Sequence, residues 1–418
     1  LVVRPWLKMP PISLAAVALL LTVVRCKASP DAEHLGHPSA VEVGHVQQAP
    51  GRTTGEVPLQ LETLSVNPPI FRIPGFLSAD EAEKLLKYVK ADKAWDFSKA
   101  GAGEDEECLQ HLISGKKNAL RRFDWDRDGV LKYNELKQLA QECFQMVDFD
   151  DELLERLFEA VPQEKESGGL PVSNPKLGKG LAKFFRKLVK AEPHRLERYS
   201  QTNFLDYRTH FLRSLRLRAQ EVTGWPEDIV NQSEPLQAVH YPLLGHYSCH
   251  HDSSPDGIEE GQIRMATIGM FLNEVQAGGE LAFPAADHRE AGKLAMRDYE
   301  ELEQDCQKPS KCIELGGVVV KPRMGDAVLW YNVDLESLQT LRPRTEGYGN
   351  KVVSWASIHC GARVLEGEKW FANMWLLWPA HGRKPGRKHS MKPAGARNEK
   401  LGSGSNTESL GPSPASEL

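Results

Sequence analysis

The sequence predicts an α+β fold, and three of its features carry that prediction. Over much of the stretch from about 78 to 222, apolar residues recur at helical spacing among charged ones. From about 235 to 378 they gather into short β-rich runs with Gly and Pro between them, which reads as an antiparallel sandwich or barrel with helices packed outside. Composition is ordinary, with 40% hydrophobic and 26% charged residues, and 418 residues suffice for two domains with at least one sizeable core.

At the amino end, Ile12 to Val24 is a short apolar run closed by Arg25, Cys26 and Lys27. At about 1.5 Å per residue it falls short of a hydrocarbon core roughly 30 Å thick. Its length suits the apolar part of a signal peptide, so residues 1–28 read as a signal peptide or an uncleaved signal anchor, with both alternatives open. Residues 29–66 are polar and rich in Pro, Gly and His, and read as a linker.

Residues 67–100 open the folded part. Ile70 to Leu77 reads as strand and turn, and Ser78 with Glu81 three residues on forms a capping box. Leu85, Leu86 and Val89 then supply the apolar stripe of a helix. Residues 104–190 form a charged helical module with one conspicuous loop, and another helix is expected from about 200 to 222, with Phe211, Leu212, Leu215 and Leu217. Within a larger unit at 200–380 the expected strands are 236–241, 265–272, 317–320, 327–331 and 370–378. Residues 381–418 are basic, then Ser/Gly-rich, and read as a disordered tail.

A formal net charge of −5 gives no global case for nucleic acid or an anionic surface as partner. Seven cysteines are too few and scattered for a disulfide scaffold, although Cys306 and Cys312 lie close enough in sequence to pair in an oxidising compartment. Asn231-Gln232-Ser233 is a glycosylation sequon, which fits exposure to a secretory lumen.

The conspicuous loop runs from Asp124 to Glu135 and matches the twelve-residue EF-hand pattern. Calcium takes six to eight oxygens; Asp124, Asp126 and Asp128 offer carboxylates at positions 1, 3 and 5, Val130 a carbonyl, and Glu135 a bidentate carboxylate. Gly129 permits the sharp turn. EF-hands usually pair, and the stretch Glu164 to Leu170 is the candidate partner. Gly168 replaces an acidic ligand there and Pro175 falls where the closing Glu belongs, so it reads as a structural partner without metal.

A second metal pattern lies in Gly245 to Asp252. Residues i and i+2 of a strand share a face, so His250 and Asp252 can grip one ion together, while His251 points away. A third ligand would complete the two-His, one-carboxylate face of non-haem iron(II) oxygenases. His359 is the candidate, because ten residues later Lys369 enters an aromatic strand as a cation suited to the distal carboxylate of a keto-acid cosubstrate.

Here the sequence resembles the prolyl 4-hydroxylase family of Fe(II)/2-oxoglutarate dioxygenases, over roughly residues 67–100 and 200–378. The resemblance rests on the two segments just described, on Met265 to Asn273, on Gly278 to Pro284 and on Lys321 to Trp330. The inserted EF-hand is similar to that of the family's transmembrane branch. The resemblance implies a double-stranded β-helix (jelly-roll) core, with His250, Asp252 and His359 on iron and Lys369 on 2-oxoglutarate. It further implies ascorbate as reductant, a proline-bearing peptide or protein as substrate, and an endoplasmic-reticulum lumenal domain, with anchoring through residues 12–24. Phe271 stands where relatives commonly carry a cosubstrate-binding Tyr, and Tyr247 is a candidate substitute. The expected reaction is hydroxylation at the prolyl C4, with 2-oxoglutarate converted to succinate. Two alternatives stay open: the same chemistry on another peptidyl residue, or a lumenal calcium-binding scaffold with an inactive dioxygenase fold. Oligomeric state is not legible.

Overall fold

The computed structural model describes residues 35–91, 106–114, 120–161, 169–287, 313–343 and 345–378. The apolar segment 12–24, Cys306, Cys312 and the tail beyond 378 lie outside the described residues. No helix among the described residues is long and apolar enough to cross a membrane.

Two antiparallel sheets frame the core. The larger has eight strands in the order Val46–Gln48, Gln60–Ser65, Ile70–Ile73, Ala327–Tyr331, Arg264–Phe271, Lys369–Leu377, Leu236–Tyr241 and Gln201–Leu205. The smaller has five, ordered Val318–Val320, Leu281–Phe283, His359–Gly361, His246–His250 and Arg198–Tyr199. Ile70, Val239, Phe271 and Trp330 of the large sheet pack against Leu281 and Phe283 of the small one. Every residue of the central Arg264–Phe271 strand after Arg264 is buried, which explains its nearly unbroken apolar run: both faces are covered.

Helices flank the large sheet. Ala79–Ala91 begins as its capping signal predicts, with the Glu81 amide donating to Ser78 Oγ (3.2 Å) and the Ser78 amide to Glu81 Oε2 (2.9 Å). It buries Ala82, Leu85 and Val89. Arg218, on the His210–Thr223 helix, grips both Glu81 oxygens at 2.6 and 3.0 Å and so ties the two helices together. Those bonds draw the Glu81 carboxyl below its ordinary range, although burial opposes the shift.

The helical module has a core of its own, which includes Leu112, Phe123, Leu136, Phe144, Leu157 and Phe185. A disulfide between Cys108 and Cys143 joins helix Glu106–Ile113 to helix Tyr133–Phe144. Two short strands pair antiparallel across the module, Val130 opposite Pro171 and Leu131 opposite Leu170. The module connects to the small sheet through backbone hydrogen bonds: the Glu197 amide donates to the Gln145 carbonyl (2.8 Å), and the Ser248 amide to the Glu197 carbonyl (2.9 Å).

Two sequence expectations are corrected. Residues 29–66 are not all linker, because Gln60–Ser65 is a full strand of the large sheet and Val46–Gln48 pairs with it. Its inward residues are Leu61, Thr63 and Ser65, so only one of three is apolar and the alternation is hidden from a hydropathy reading. The helix expected from about 200 begins at His210; Gln201–Leu205 is a strand. Thr209 caps the helix, accepting from the Leu212 amide at 3.1 Å.

Candidate active site

Strand alternation builds the site. Lys369, Phe371, Asn373 and Trp375 fall on one face of their strand, and Gln237 and Tyr241 on the neighbouring strand face the same way. His250 and Asp252 come from the end of the facing sheet, where His250 pairs with His359 across the strands. Together they line a cavity of about 210 Å³.

His250, Asp252 and His359 converge there, with ligand atoms within 4.8 Å of one another. His250 Nε2 lies 3.9 Å from Asp252 Oδ1, and His359 Nε2 lies 3.7 Å from Asp252 Oδ2. Each imidazole is oriented by a backbone carbonyl two residues earlier: His250 Nδ1 lies 2.8 Å from Ser248 O, and His359 Nδ1 3.0 Å from Ser357 O. A carbonyl only accepts, so each Nδ1 carries the proton and each Nε2 presents a lone pair to the centre. Burial pushes His250 well below the usual imidazole range and so keeps it neutral. Burial acts to raise the Asp252 carboxyl, but the Arg264 guanidinium and the Thr267 hydroxyl work against it, and the group lies below its ordinary value. Two neutral imidazoles and one carboxylate on one side of an ion are the donor set of a non-haem iron(II) site with open positions.

Lys369 lies deeper in the same cavity, only 2% exposed. Its ammonium is surrounded by rings, 4.8 Å from the centre of Phe371, 5.2 Å from Tyr241 and 5.6 Å from Phe271. No carboxylate among the described residues lies within ion-pair distance of it. Burial therefore lowers it to about 7, with Glu280 pulling weakly the other way. A buried cation with no carboxylate at ion-pair distance among the described residues fits a carboxylate brought in by a ligand.

Tyr247 stacks on His250 with ring centres 3.7 Å apart, and the Arg198 guanidinium lies 4.4 Å over the Tyr247 ring. Phe271 is buried against Phe371 at 5.0 Å. The ring directly opposite Lys369 in the strand register is Tyr241, which sequence reasoning missed. Its signal was the parity of Gln237, Val239 and Tyr241, which aims all three inward.

The acidic loop is the second constellation. Carboxylates of Asp124, Asp126 and Asp128 come within 4.8 Å of one another. Asp124 is buried and its Oδ1 has no partner. Glu135 is not part of that group; its two oxygens accept from the backbone amides of Trp125 and Lys132, both at 2.9 Å, which closes the loop. The Lys132 ammonium bridges Asp126, at 3.1 Å, and Asp128. Residues 162–168, which contain most of the expected partner loop, lie outside the described residues.

Residues 236–377 match the family model of the 2OG-Fe(II) oxygenase superfamily. The chain carries a 2OG-Fe(II) oxygenase domain. His250, Asp252, His359 and Lys369 all lie inside the matched stretch. Among relatives, the transmembrane prolyl 4-hydroxylase of Homo sapiens is 30% identical over 348 residues, covering 76% of this chain and 64% of its own. That of Mus musculus is 30% identical over 345 residues with the same coverage. The chain thus spans a little under two thirds of these relatives' length. Probable prolyl 4-hydroxylase 10 of Arabidopsis thaliana is 29% identical over 59% of this chain and 81% of its own. A viral collagen prolyl hydroxylase from Paramecium Bursaria Chlorella virus-1, solved with 2OG, is 18% identical over 43% of this chain and 78% of its own, with a TM-score of 0.29.

Proposed function

We propose that this chain is an Fe(II)- and 2-oxoglutarate-dependent dioxygenase that hydroxylates peptidyl proline at C4. One observation carries the reading: the two-histidine, one-carboxylate face and a buried ammonium with no carboxylate at ion-pair distance among the described residues open into one cavity. His250, Asp252 and His359 would hold the iron, and Lys369 the distal carboxylate of 2-oxoglutarate, with Tyr241 and Tyr247 flanking the pair. When bound, iron and cosubstrate supply oxygen activation coupled to decarboxylation, leaving succinate and one oxygen atom on the substrate. The chain's own residues orient and exclude water. Carbonyls of Ser248 and Ser357 fix the imidazole rings, and Phe271, Phe371 and Trp330 keep the floor apolar. At the mouth, the half-exposed Phe204 with Arg198 and Trp375 offers a surface for a peptide. Ascorbate is the expected reductant, and the two-sheet core is read as a double-stranded β-helix. Relatives named prolyl 4-hydroxylases support proline as the target.

The test is succinate release by the purified chain with iron(II), ascorbate and a proline-rich peptide, followed by mass spectrometry of the peptide. Iron-dependent release and a gain of one oxygen on proline are expected, and Asp252→Ala should abolish both. Turnover that survives Asp252→Ala would sink the metal assignment.

The acidic loop reads as an EF-hand calcium site, supported by the buried, unpartnered Asp124 Oδ1 facing Asp126 and Asp128. The Cys108–Cys143 disulfide supports an oxidising compartment, and with the transmembrane relatives it favours the endoplasmic-reticulum lumen.

A further inference from the structure

Asp252 does not stand alone in its wall of the cavity. Thr267, in the middle of the central strand and fully buried, places its hydroxyl 2.6 Å from Asp252 Oδ2. Asn332, also fully buried and just beyond the neighbouring strand, places its side-chain nitrogen 2.9 Å from Thr267 Oγ1. The direction of these bonds is forced. An ionised carboxylate only accepts, so Thr267 must spend its single proton on Asp252. Its oxygen then accepts, so Asn332 must present its amide nitrogen, which donates. Asn332 in turn is held by its own backbone, its amide donating to Met265 O and its carbonyl accepting from the Ser354 amide, both at 2.9 Å.

Thr267 is thus committed to one oxygen of one carboxylate and Asn332 to Thr267, in a place where neither meets solvent. Resting on the iron reading above, we infer that Asn332 and Thr267 are positioning residues that keep Asp252 a one-oxygen ligand. With Oδ2 tied by the Thr267 proton, Oδ1 is the oxygen left free to take the ion. The consequence lies in the open positions: a carboxylate free to rotate can take the metal through both oxygens and occupy a place that the cosubstrate needs. The Thr267 methyl faces no such task, so a hydroxyl is required and a β-branched shape alone is not enough.

Mn(II), which resists oxidation, serves as probe in titrations of the full chain in saturating calcium, which keeps the acidic loop from taking it up, read by calorimetry. 2-Oxoglutarate is then added to the anaerobic Fe(II) protein, and the visible charge-transfer band of the chelate is recorded. Thr267→Val keeps the shape and removes the proton; it is expected to weaken Mn(II) binding about 10- to 100-fold and to diminish the chelate band. Thr267→Ser, which restores the hydroxyl, should return both to near the parent values. Parent-like Mn(II) affinity together with a parent-like band in Thr267→Val would overturn the inference. Should Thr267→Val not fold, Asn332→Leu decides in its place: a weakened Mn(II) affinity supports the link and an unchanged one removes it. A parent chain that takes up no Mn(II) would instead overturn the iron reading, and the link with it.

Discussion

At the scale of single residues, Lys369 has a chemistry far from that of its exposed form. Burial among Tyr241, Phe271 and Phe371 brings its ammonium to about 7, against 10.5 for the free side chain. The folded chain therefore binds fewer protons than the unfolded one between about pH 7 and 10.5, and by linkage stability rises with pH across that window. Cosubstrate binding runs the other way. A dicarboxylate calls for the ammonium, so above about pH 7 binding must take up a proton, and affinity should fall by up to about tenfold per pH unit. Calorimetry of 2-oxoglutarate in buffers of differing ionisation enthalpy should register that uptake near pH 8. An affinity that stays flat from pH 6.5 to 8.5 would count against Lys369 as the carboxylate partner. Gly269 shows a different constraint. A Cβ there would clash with Phe371 Cζ and lie 3.1 Å from Trp330 Cζ3. Gly269→Ala should cost about 1–3 kcal/mol and push Phe371 into the cavity, seen as a lowered melting temperature and a raised KM for 2-oxoglutarate. These residues differ in how legible they were. His250 and Asp252 stood out because strand parity puts i and i+2 on one face. Tyr241, Thr267 and Asn332 sit inside apolar runs, and only the cross-strand pairing reveals what they touch.

At the scale of elements, the acidic loop carries its own internal cation. Lys132, four residues after Asp128, places its ammonium between Asp126 and Asp128, whose carboxylates it would have to release to a divalent ion. Its hydrogen bonds to those two carboxylates raise the Lys132 ammonium far above its ordinary value, and the bond from Lys132 lowers Asp128. Lys132→Gln is therefore expected to strengthen calcium binding, and Asp124→Ala to weaken it strongly, both by calorimetry on the calcium-stripped chain. Calcium at about a hundred times its Kd should stabilise the folded chain by roughly 2.7 kcal/mol. A melting temperature unmoved by calcium or by EGTA would remove the calcium reading. Elements also mark where sequence reading fell short. The module's loop was legible because its carboxylates and glycine recur at a fixed spacing. Gln60–Ser65 was not, since two of its three inward residues, Thr63 and Ser65, are polar; Ser65 Oγ is satisfied by donating to Pro68 O at 2.7 Å.

At the scale of the whole molecule, the helical module and the two-sheet core have separate hydrophobic clusters, and that separation has consequences for stability. The disulfide lies wholly inside the module, closing a loop between residues 35 apart in sequence. Its reduction should cost about 2–4 kcal/mol, felt by the module first. What joins the module to the oxygenase side is narrow but directed. The Gln145 carbonyl at the end of the Tyr133–Phe144 helix holds the Glu197 amide, the Glu197 carbonyl holds the Ser248 amide, and the Ser248 carbonyl orients His250. Arg195 braces the junction, with Nε 2.6 Å from Glu192 Oε2 and Nη1 3.0 Å from Asp150 Oδ2. Spatial continuity of this kind is not itself coupling; coupling needs an element with two arrangements that both sites bias. Helix Tyr133–Phe144 buries Leu136, Leu139, Ala140 and Phe144 in the module core, which holds its far end in place whatever the loop does. Emptying the loop by Asp124→Ala should therefore lower the melting temperature while leaving Mn(II) affinity within about twofold, or about 0.4 kcal/mol, of the parent. The converse variant, Asp252→Ala, should lose Mn(II) and keep calcium. If Asp124→Ala weakens Mn(II) tenfold instead, the Gln145–Glu197–Ser248 connection transmits the state of the loop to His250, and the two modules act as one.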